Sequence, residues 1–412
     1  MGGRAGAGLV LSFGGDRLAS SDALTASGGR RPRIGLLGPA HPFRGGIAQY
    51  LALLYRALEP RAEVAQFSLL SQYPSFLFPG KSQRDVSEEP LQVPDIPVLD
   101  MLAPWRWPAA ARTVASWRPD GLAFKWWLPY FGPAYATVLA AARRAGAATV
   151  MIADNLIPHE RRPLDMTFTR WVLARTDAYI VMSESVEADL RRLVPEALYR
   201  RVAHPVYSQY ATATPRAKAR EALGLAGDVL LFFGFVRAYK GLDTLLDAVP
   251  AILARRAVTL VVAGEFYEPA APYRERIERL GIAGHVRLLD RYLADEEVRR
   301  LFAAADVCVL PYRSATQSGV IPVAYAAGCP VITTRVGGLP EFVAEGRSGY
   351  TVPAEDPAAL ARAVLAFYEA GGRDALAAGV ARQAALYSWD ALAGALLDLT
   401  AEARERRARR AA

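Results

Sequence analysis

Along this chain, short apolar runs closed by Gly, Pro and polar clusters alternate with segments whose apolar residues recur three and four apart. The first run, IGLLG after Arg33, passes through PAHPFRGG into a stretch where Ile47, Tyr50, Leu51, Leu54 and Leu58 share one helical face. The run VAQFSLL follows. Next comes SQYPSFLFPGKSQRD, in which Tyr73, Phe76, Leu77 and Phe78 lie between prolines and obey neither period. Alternation then resumes with a predicted helix from about Pro104 to Trp117, a strand over Gly121 to Trp127, a helix to Arg144 and the strand ATVMIAD. The loop NLIPHERRP, a helix through Arg175, the strand AYIVMSE and a helix from Ser185 complete the series. After a connection near His204-Pro205 the texture restarts, with a short helix around Glu221 and the strand VLLFFGF. The loop VRAYK, a helix carrying Leu242, Leu245, Leu246 and Val249, and the strands TLVVAGE and VRLLDRY continue it. Two such series in tandem predict an α/β protein of two doubly wound domains facing each other across a cleft. The boundary is expected between residues 203 and 212.

The segment from Asp306 to Glu341 is the most informative. Its apolar run Val307 to Leu310 leads through a polar loop to Ser318-Gly319-Val320, and an apolar helix then ends at Gly328 before Pro330. Ser318 can cap that helix and Gly328 can take the left-handed turn beyond it. Pro322 is tolerated where helical amides lack acceptors, and the same amides suit a phosphate. An ordinary crossover in a parallel sheet would read the same way, so the rest of the chain has to decide.

At 412 residues the chain is long enough for two cores. Its net charge of +8, with Arg far outnumbering Lys, suits a partner bearing phosphate or an anionic surface, although many of these arginines need no functional reason. Cys308 and Cys329 make neither a disulfide framework nor a metal cluster. No apolar run is long enough to span a bilayer, and the Gly, Ala and Ser-rich residues 1 to 30 read as a disordered leader rather than a signal segment. The helix from Ser388-Trp389 ends in AEARERRARRAA, too charged for a core and expected to be solvated or membrane-facing. The expectation is a cytoplasmic protein, at most peripheral to the inner membrane face, with no nucleic-acid partner.

Four loops fall at carboxyl ends of predicted strands, where such sheets bind ligands: Gly45-Gly46, Arg237 with Lys240, Gly264-Glu265, and Ser318-Gly319. Arg237 and Lys240 can reach one anion held at that edge. No Gly-Lys-Ser/Thr run and no Gly-x-Gly-x-x-Gly follows a strand, which disfavours triphosphate hydrolysis and ordinary dinucleotide binding. Asp154, Asn155, His159 and Glu160 crowd another loop, and His41 lies near the first glycines.

The motifs RGGIAQY, FFGFVRAYKGLDTLLDA, VVAGE, ADVCVLPYRSATQSGVIPVAYAAGCPVITTRVGGLPE and GYTVP resemble the family-4 retaining glycosyltransferases of the GT-B fold, over roughly residues 33 to 400. The resemblance implies two Rossmann-like domains: an acceptor domain over 31 to 205 and a nucleotide-sugar domain over 206 to 386. Residues 387 to 412 would form a helix crossing back to the first domain. It implies a nucleoside-diphosphate sugar as donor, a saccharide or lipid-linked acceptor, and no required cofactor or metal. The leaving diphosphate would be neutralised by Arg237, Lys240 and the backbone of Ser318, Gly319 and Val320. Gly45, Gly46, Gly264, Glu265, Thr316 and Gln317 complete the expected donor site. Asp154 or His159 would stand beside the anomeric centre, and His41, Tyr73 and Asn155 would meet the acceptor.

Two positions depart from the family pattern. Phe235 stands where an Arg is usual, with Arg237 two residues on, and the usual paired glutamates fall on Thr316 and Val323. ATQSGVIPVAY resembles a variant branch in which that pair is replaced. Glu265 and Glu341 are alternative carboxylates. A nucleotide-sugar epimerase or hydrolase, or a non-catalytic partner of another transferase, remains the competing reading.

Overall fold

A computed structural model describes residues 30–74, 80–157 and 163–411. Residues 1–29 of the expected leader, the aromatic positions Phe76 and Phe78 with Leu77, and the candidate His159 lie outside the described residues.

The first domain contains strands β1 (Arg33–Leu37), β2 (Glu63–Ser71), β3 (Asp95–Asp100), β4 (Gly121–Trp126), β5 (Ala148–Ala153), β6 (Ala178–Val181) and β7 (Tyr199–Arg201). Its helices are α1 (Gly46–Leu58), α2 (Trp107–Ser116), α3 (Gly132–Arg144), α4 (Asp165–Leu173) and α5 (Glu184–Leu193). The strands form one parallel sheet in the order β3-β2-β1-β4-β5-β6-β7. Every residue of β4, β5 and β6 is buried, as expected where helices cover both faces of a parallel sheet. The sequence pattern misses β3 and β7. One is an edge strand that carries Pro97, and the other is the three residues Tyr199–Arg201, so neither has an apolar run to announce it.

The second domain contains α6 (Arg216–Leu223), β8 (Asp228–Phe233), α7 (Leu242–Leu253), β9 (Val258–Ala263), α8 (Ala271–Arg279), β10 (Val286–Leu289), α9 (Asp295–Ala304) and β11 (Val307–Leu310). It continues with α10 (Val320–Ala326), β12 (Val331–Thr334), β13 (Gly349–Val352), α11 (Pro357–Glu369) and α12 (Gly372–Leu386). Its parallel sheet runs β10-β9-β8-β11-β12-β13. The face predicted for α7 is the one that packs, with Leu242, Leu245, Leu246 and Val249 all fully buried. In both sheets the strand order reverses beside the first strand, between β1 and β4 and between β8 and β11. Crevices open at such switch points on the carboxyl side.

The last helix, α13 (Trp389–Ala411), packs on α1, β4, β5 and β6 of the first domain. Trp389 donates from Nε1 to the carbonyl of Val206 at 2.7 Å, and Leu392, Leu396 and Leu399 are buried. Its charged end is not wholly solvated, contrary to the expectation from composition. Arg404 reaches Asp120 at 2.6 Å, and Arg407 donates to the Arg143 carbonyl at 2.9 Å. These arginines add donors to Asp120, at the amino edge of the sheet, and to a carbonyl at the end of α3. Among the described residues no helix is long and apolar enough to cross a membrane.

Candidate active site

Two cations gather at the end of β8. The chain leaves that strand at Gly234, runs extended to Arg237 and makes a tight turn through Lys240 before a left-handed Gly241 opens α7. A Cβ placed on Gly234 would lie 2.9 Å from Lys240 Nζ and 3.5 Å from Val320 Cγ2, so the ammonium sits against the strand end beside the first residue of α10. Lys240 is 8 % exposed, and its ammonium makes no ion pair or hydrogen bond with any described residue and is 5.6 Å from the Tyr312 ring centre. Burial pushes its pKa down to about 8, with the Arg237 charge adding to the effect. Arg237 likewise lacks a carboxylate partner among the described residues. Its guanidinium lies 5.1 Å from the Tyr267 ring centre, on which Phe235 also stacks at 4.4 Å. Phe235 and Arg237 therefore meet the same ring, as alternation along an extended segment predicts.

The loop around α10 differs from expectation in detail. The cap position is Gly319, one residue later than Ser318, and the Ser318 hydroxyl accepts from the Val320 amide at 3.2 Å. That amide is thereby satisfied from within the chain. Gly328 takes the predicted left-handed turn. The loop 315–317 is supported from below by Gly337, where a Cβ would lie 1.5 Å from the Ala315 carbonyl oxygen. Val323 and its neighbour Ala324 are buried in the core and offer no polar group at the position of the second expected glutamate.

Gly264 and Glu265 acquire structural explanations. A Cβ at Gly264 would lie 2.2 Å from the Gly234 carbonyl oxygen, so the close approach of the two strand ends requires glycine there. Glu265 is 1 % exposed and forms an ion pair with Arg44 of the first domain, while the Lys81 amide donates to its other oxygen at 2.5 Å. Arg44 also stacks 4.4 Å from the Tyr292 ring centre. Glu341, the other alternative carboxylate, accepts from the Glu184 amide at 3.0 Å. Both carboxylates thus join the domains. So does Asp295, whose Oδ1 accepts from Gln49 at 2.9 Å and from Tyr210 at 2.7 Å.

On the first domain, Gly45 has a φ of 104° and opens α1 without a side-chain cap, while the Gly46 carbonyl accepts from Tyr207 at 3.2 Å. His41 stands half-buried in the same loop, and Asn155 is half-buried after β5; neither hydrogen-bonds to a described residue. Tyr73 stacks on Tyr130 at 5.8 Å and meets Phe131 edge-on at 5.6 Å, and burial raises its hydroxyl pKa to about 12. Its ring belongs to an aromatic cluster of the first domain.

Asp154, at the end of β5, is where the two halves meet. Its Oδ1 is 2.6 Å from Lys125 Nζ and accepts from Gln317 Nε2 at 2.5 Å, and its carbonyl accepts from the Thr316 hydroxyl at 3.1 Å. Lys125 is a site residue that sequence reasoning missed. The signal was present, a lysine in the otherwise apolar strand GLAFKW. Its side chain is 1 % exposed, its Nζ lies 3.6 Å from the Tyr50 ring centre, and burial lowers its pKa against the pull of Asp154.

Two parallel doubly wound sheets, meeting at their carboxyl edges around Lys240 and Arg237 on one side and Asp154 on the other, define a GT-B fold. Comparison with known proteins agrees. Residues 45–205 match the glycosyl transferase 4-like domain and residues 227–370 match the glycosyl transferases group 1 domain, so each domain is similar to a glycosyl transferase domain. The D-inositol 3-phosphate glycosyltransferase of Streptomyces avermitilis is 35 % identical over 247 residues, covering 56 % of this chain and 53 % of that protein. The D-inositol 3-phosphate glycosyltransferase 2 of Catenulispora acidiphila is 37 % identical over 194 residues, covering 44 % and 45 %. The chain thus spans about half the length of these curated relatives. Among solved structures, sucrose-phosphate synthase from Thermosynechococcus elongatus superposes with a TM-score of 0.71 at 21 % identity, covering 92 % of this chain and 100 % of that one. HepE from Anabaena in complex with UDP-glucose gives 0.65 at 17 % identity, covering 91 % and 99 %.

Proposed function

We infer that the protein transfers a hexosyl group from a nucleoside-diphosphate sugar to an acceptor hydroxyl, with retention at the anomeric carbon, in glycan or glycolipid biosynthesis. The observation that carries this reading is the pair Lys240 and Arg237, two cations without carboxylate partners among the described residues, at a sheet switch point. Holding a partly desolvated ammonium unpaired costs stability and is sensible where a ligand supplies the counter-charge. A diphosphate does so, and its charge grows as the glycosidic bond breaks, so the same cations bind the donor and stabilise the departing group. Neutralisation by side chains makes a metal unnecessary for that step. The complex of HepE with UDP-glucose supports a nucleotide sugar as the ligand class.

Asp154 faces this site from the other domain. Its Oδ1 is engaged by Lys125 and Gln317, and the reading favours front-face attack, with the leaving phosphate accepting the acceptor's proton. The acceptor, a saccharide or lipid-linked alcohol, would enter along His41 and Asn155. The test is transfer from a panel of nucleotide sugars to saccharide and lipid-linked acceptors in the presence of EDTA, with the product's anomeric configuration read by NMR. A retained linkage formed without metal is expected. Donor hydrolysis or epimerisation without transfer, an inverted product, or dependence on added metal would each overturn the corresponding part.

A further inference from the structure

We propose that Lys125 is a positioning residue for Asp154, and that this carboxylate is fully set only when the second domain delivers Gln317 to the oxygen Lys125 already holds. The inference rests on the glycosyl-transfer reading and assigns a part of that site that no relative's name describes.

Lys125 stands on a strand buried along its whole length, where an ammonium is costly unless paired. Its surroundings are arranged for one contact. The Tyr50 ring faces Nζ at 3.6 Å and the Met182 sulfur lies at 3.8 Å. His204, also buried nearby, is held neutral by burial and by Lys125 itself, its pKa near 3, so it adds no competing charge. Among the described residues the one carboxylate in contact is Asp154, at 2.6 Å. Asp154 is fixed further by its own amide, which donates to the Trp126 carbonyl at 2.9 Å. From the first domain alone, then, backbone and Oδ1 are held.

The second domain completes the grip. Gln317 donates to Oδ1 at 2.5 Å and Thr316 donates to the Asp154 carbonyl at 3.1 Å. Two acceptors remain: Asp154 Oδ2, on a side chain 17 % exposed, takes no hydrogen bond from a described residue, and the Gln317 Oε1 is buried without a partner among the described residues. A buried acceptor such as that Oε1 is unfavourable when left empty unless a ligand fills it. Both want donors, and the hydroxyls of a donor sugar are donors. The carboxylate that Thr316 does not provide is thus brought from the opposite domain, with Lys125 ensuring that it presents Oδ2 to the sugar.

The test measures binding of UDP-glucose, GDP-mannose and ADP-glucose, and of the free diphosphates, by calorimetry to wild type, Lys125→Met, Asp154→Asn and the double variant. The ratio of nucleotide-sugar affinity to diphosphate affinity isolates the sugar's contacts. Lys125→Met and Asp154→Asn should each lower that ratio about tenfold while leaving diphosphate affinity near wild type, and the double variant should lose no more than either alone. Intact diphosphate binding also shows that the variants are folded. Additive losses, or a wild-type ratio in Lys125→Met, would overturn the inference. Should Lys125→Met fail to fold, Asp154→Asn and Gln317→Ala must show the same non-additive loss, and independence between them would overturn it equally. A wild type that binds none of the nucleotide sugars defeats the glycosyl-transfer reading itself, and this inference with it.

Discussion

Replacing Lys240 by Met separates the two things a buried cation does. In the free protein the ammonium is a burden, since its pKa falls from the usual 10.5 to about 8, equivalent to about 3 kcal/mol. The sign follows from proton counts. Below about pH 8 folded and unfolded chains both hold the proton and the cost is present in full. Between about 8 and 10.5 only the unfolded chain holds it, so stability rises with pH across that window. Met keeps an unbranched chain one atom shorter beside Gly234 and Val320 and removes the charge. Chemical denaturation at pH 7 should therefore find Lys240→Met at least as stable as wild type, by up to about 3 kcal/mol, and without the rise between pH 8 and 10. Calorimetry should find its nucleoside-diphosphate affinity reduced at least about thirtyfold, the loss of one charge-assisted contact of about 2 kcal/mol. A variant that is destabilised at pH 7 and still binds diphosphate like wild type would refute the reasoning, making Lys240 a structural residue.

Three further outcomes can be checked independently. Arg237→Ala should lower donor kcat/KM by about ten- to a hundredfold, with a melting temperature within a degree or two of wild type because the guanidinium only rests on Tyr267. Donor kcat/KM should fall as pH rises past about 8, where the free enzyme's Lys240 loses its proton, and the Lys240→Met profile should be flat there. Arg44→Met should cost about 3–5 kcal/mol by stranding buried Glu265, and adding Glu265→Leu should restore much of it, as unfolding curves of the single and double variants will show.

What could be read from the sequence was whatever is local and periodic. The alternating series, the segment from Asp306 to Glu341 and the left-handed glycine at 328 follow from apolar spacing and backbone rules, and the structure places them accordingly. Arg237 and Lys240 were legible because they follow a buried strand directly. Pairings between distant segments were not. Glu265 looked like a free donor ligand, and only the fold brings Arg44, more than two hundred residues away, onto it. Tyr73 lies in a segment with no period, which leaves its packing open, and the structure stacks it in an aromatic cluster. Lys125 was passed over because a strand of its composition reads as core, and its partner Asp154 lies on the neighbouring strand's end. The Arg-rich end of α13 looked solvated because composition cannot reveal the carbonyls and Asp120 that await it.

The central claim is that the cleft between the domains holds the diphosphate of a nucleotide sugar on Lys240 and Arg237. It is tested most directly by titrating UDP, GDP and ADP, each beside its monophosphate, into the wild-type protein and the Lys240→Met/Arg237→Ala double variant. At least one diphosphate is expected to bind the wild type more tightly than its monophosphate by about tenfold or more, with the difference abolished in the double variant. Equal binding of mono- and diphosphate, or a preference that survives loss of both cations, would contradict it.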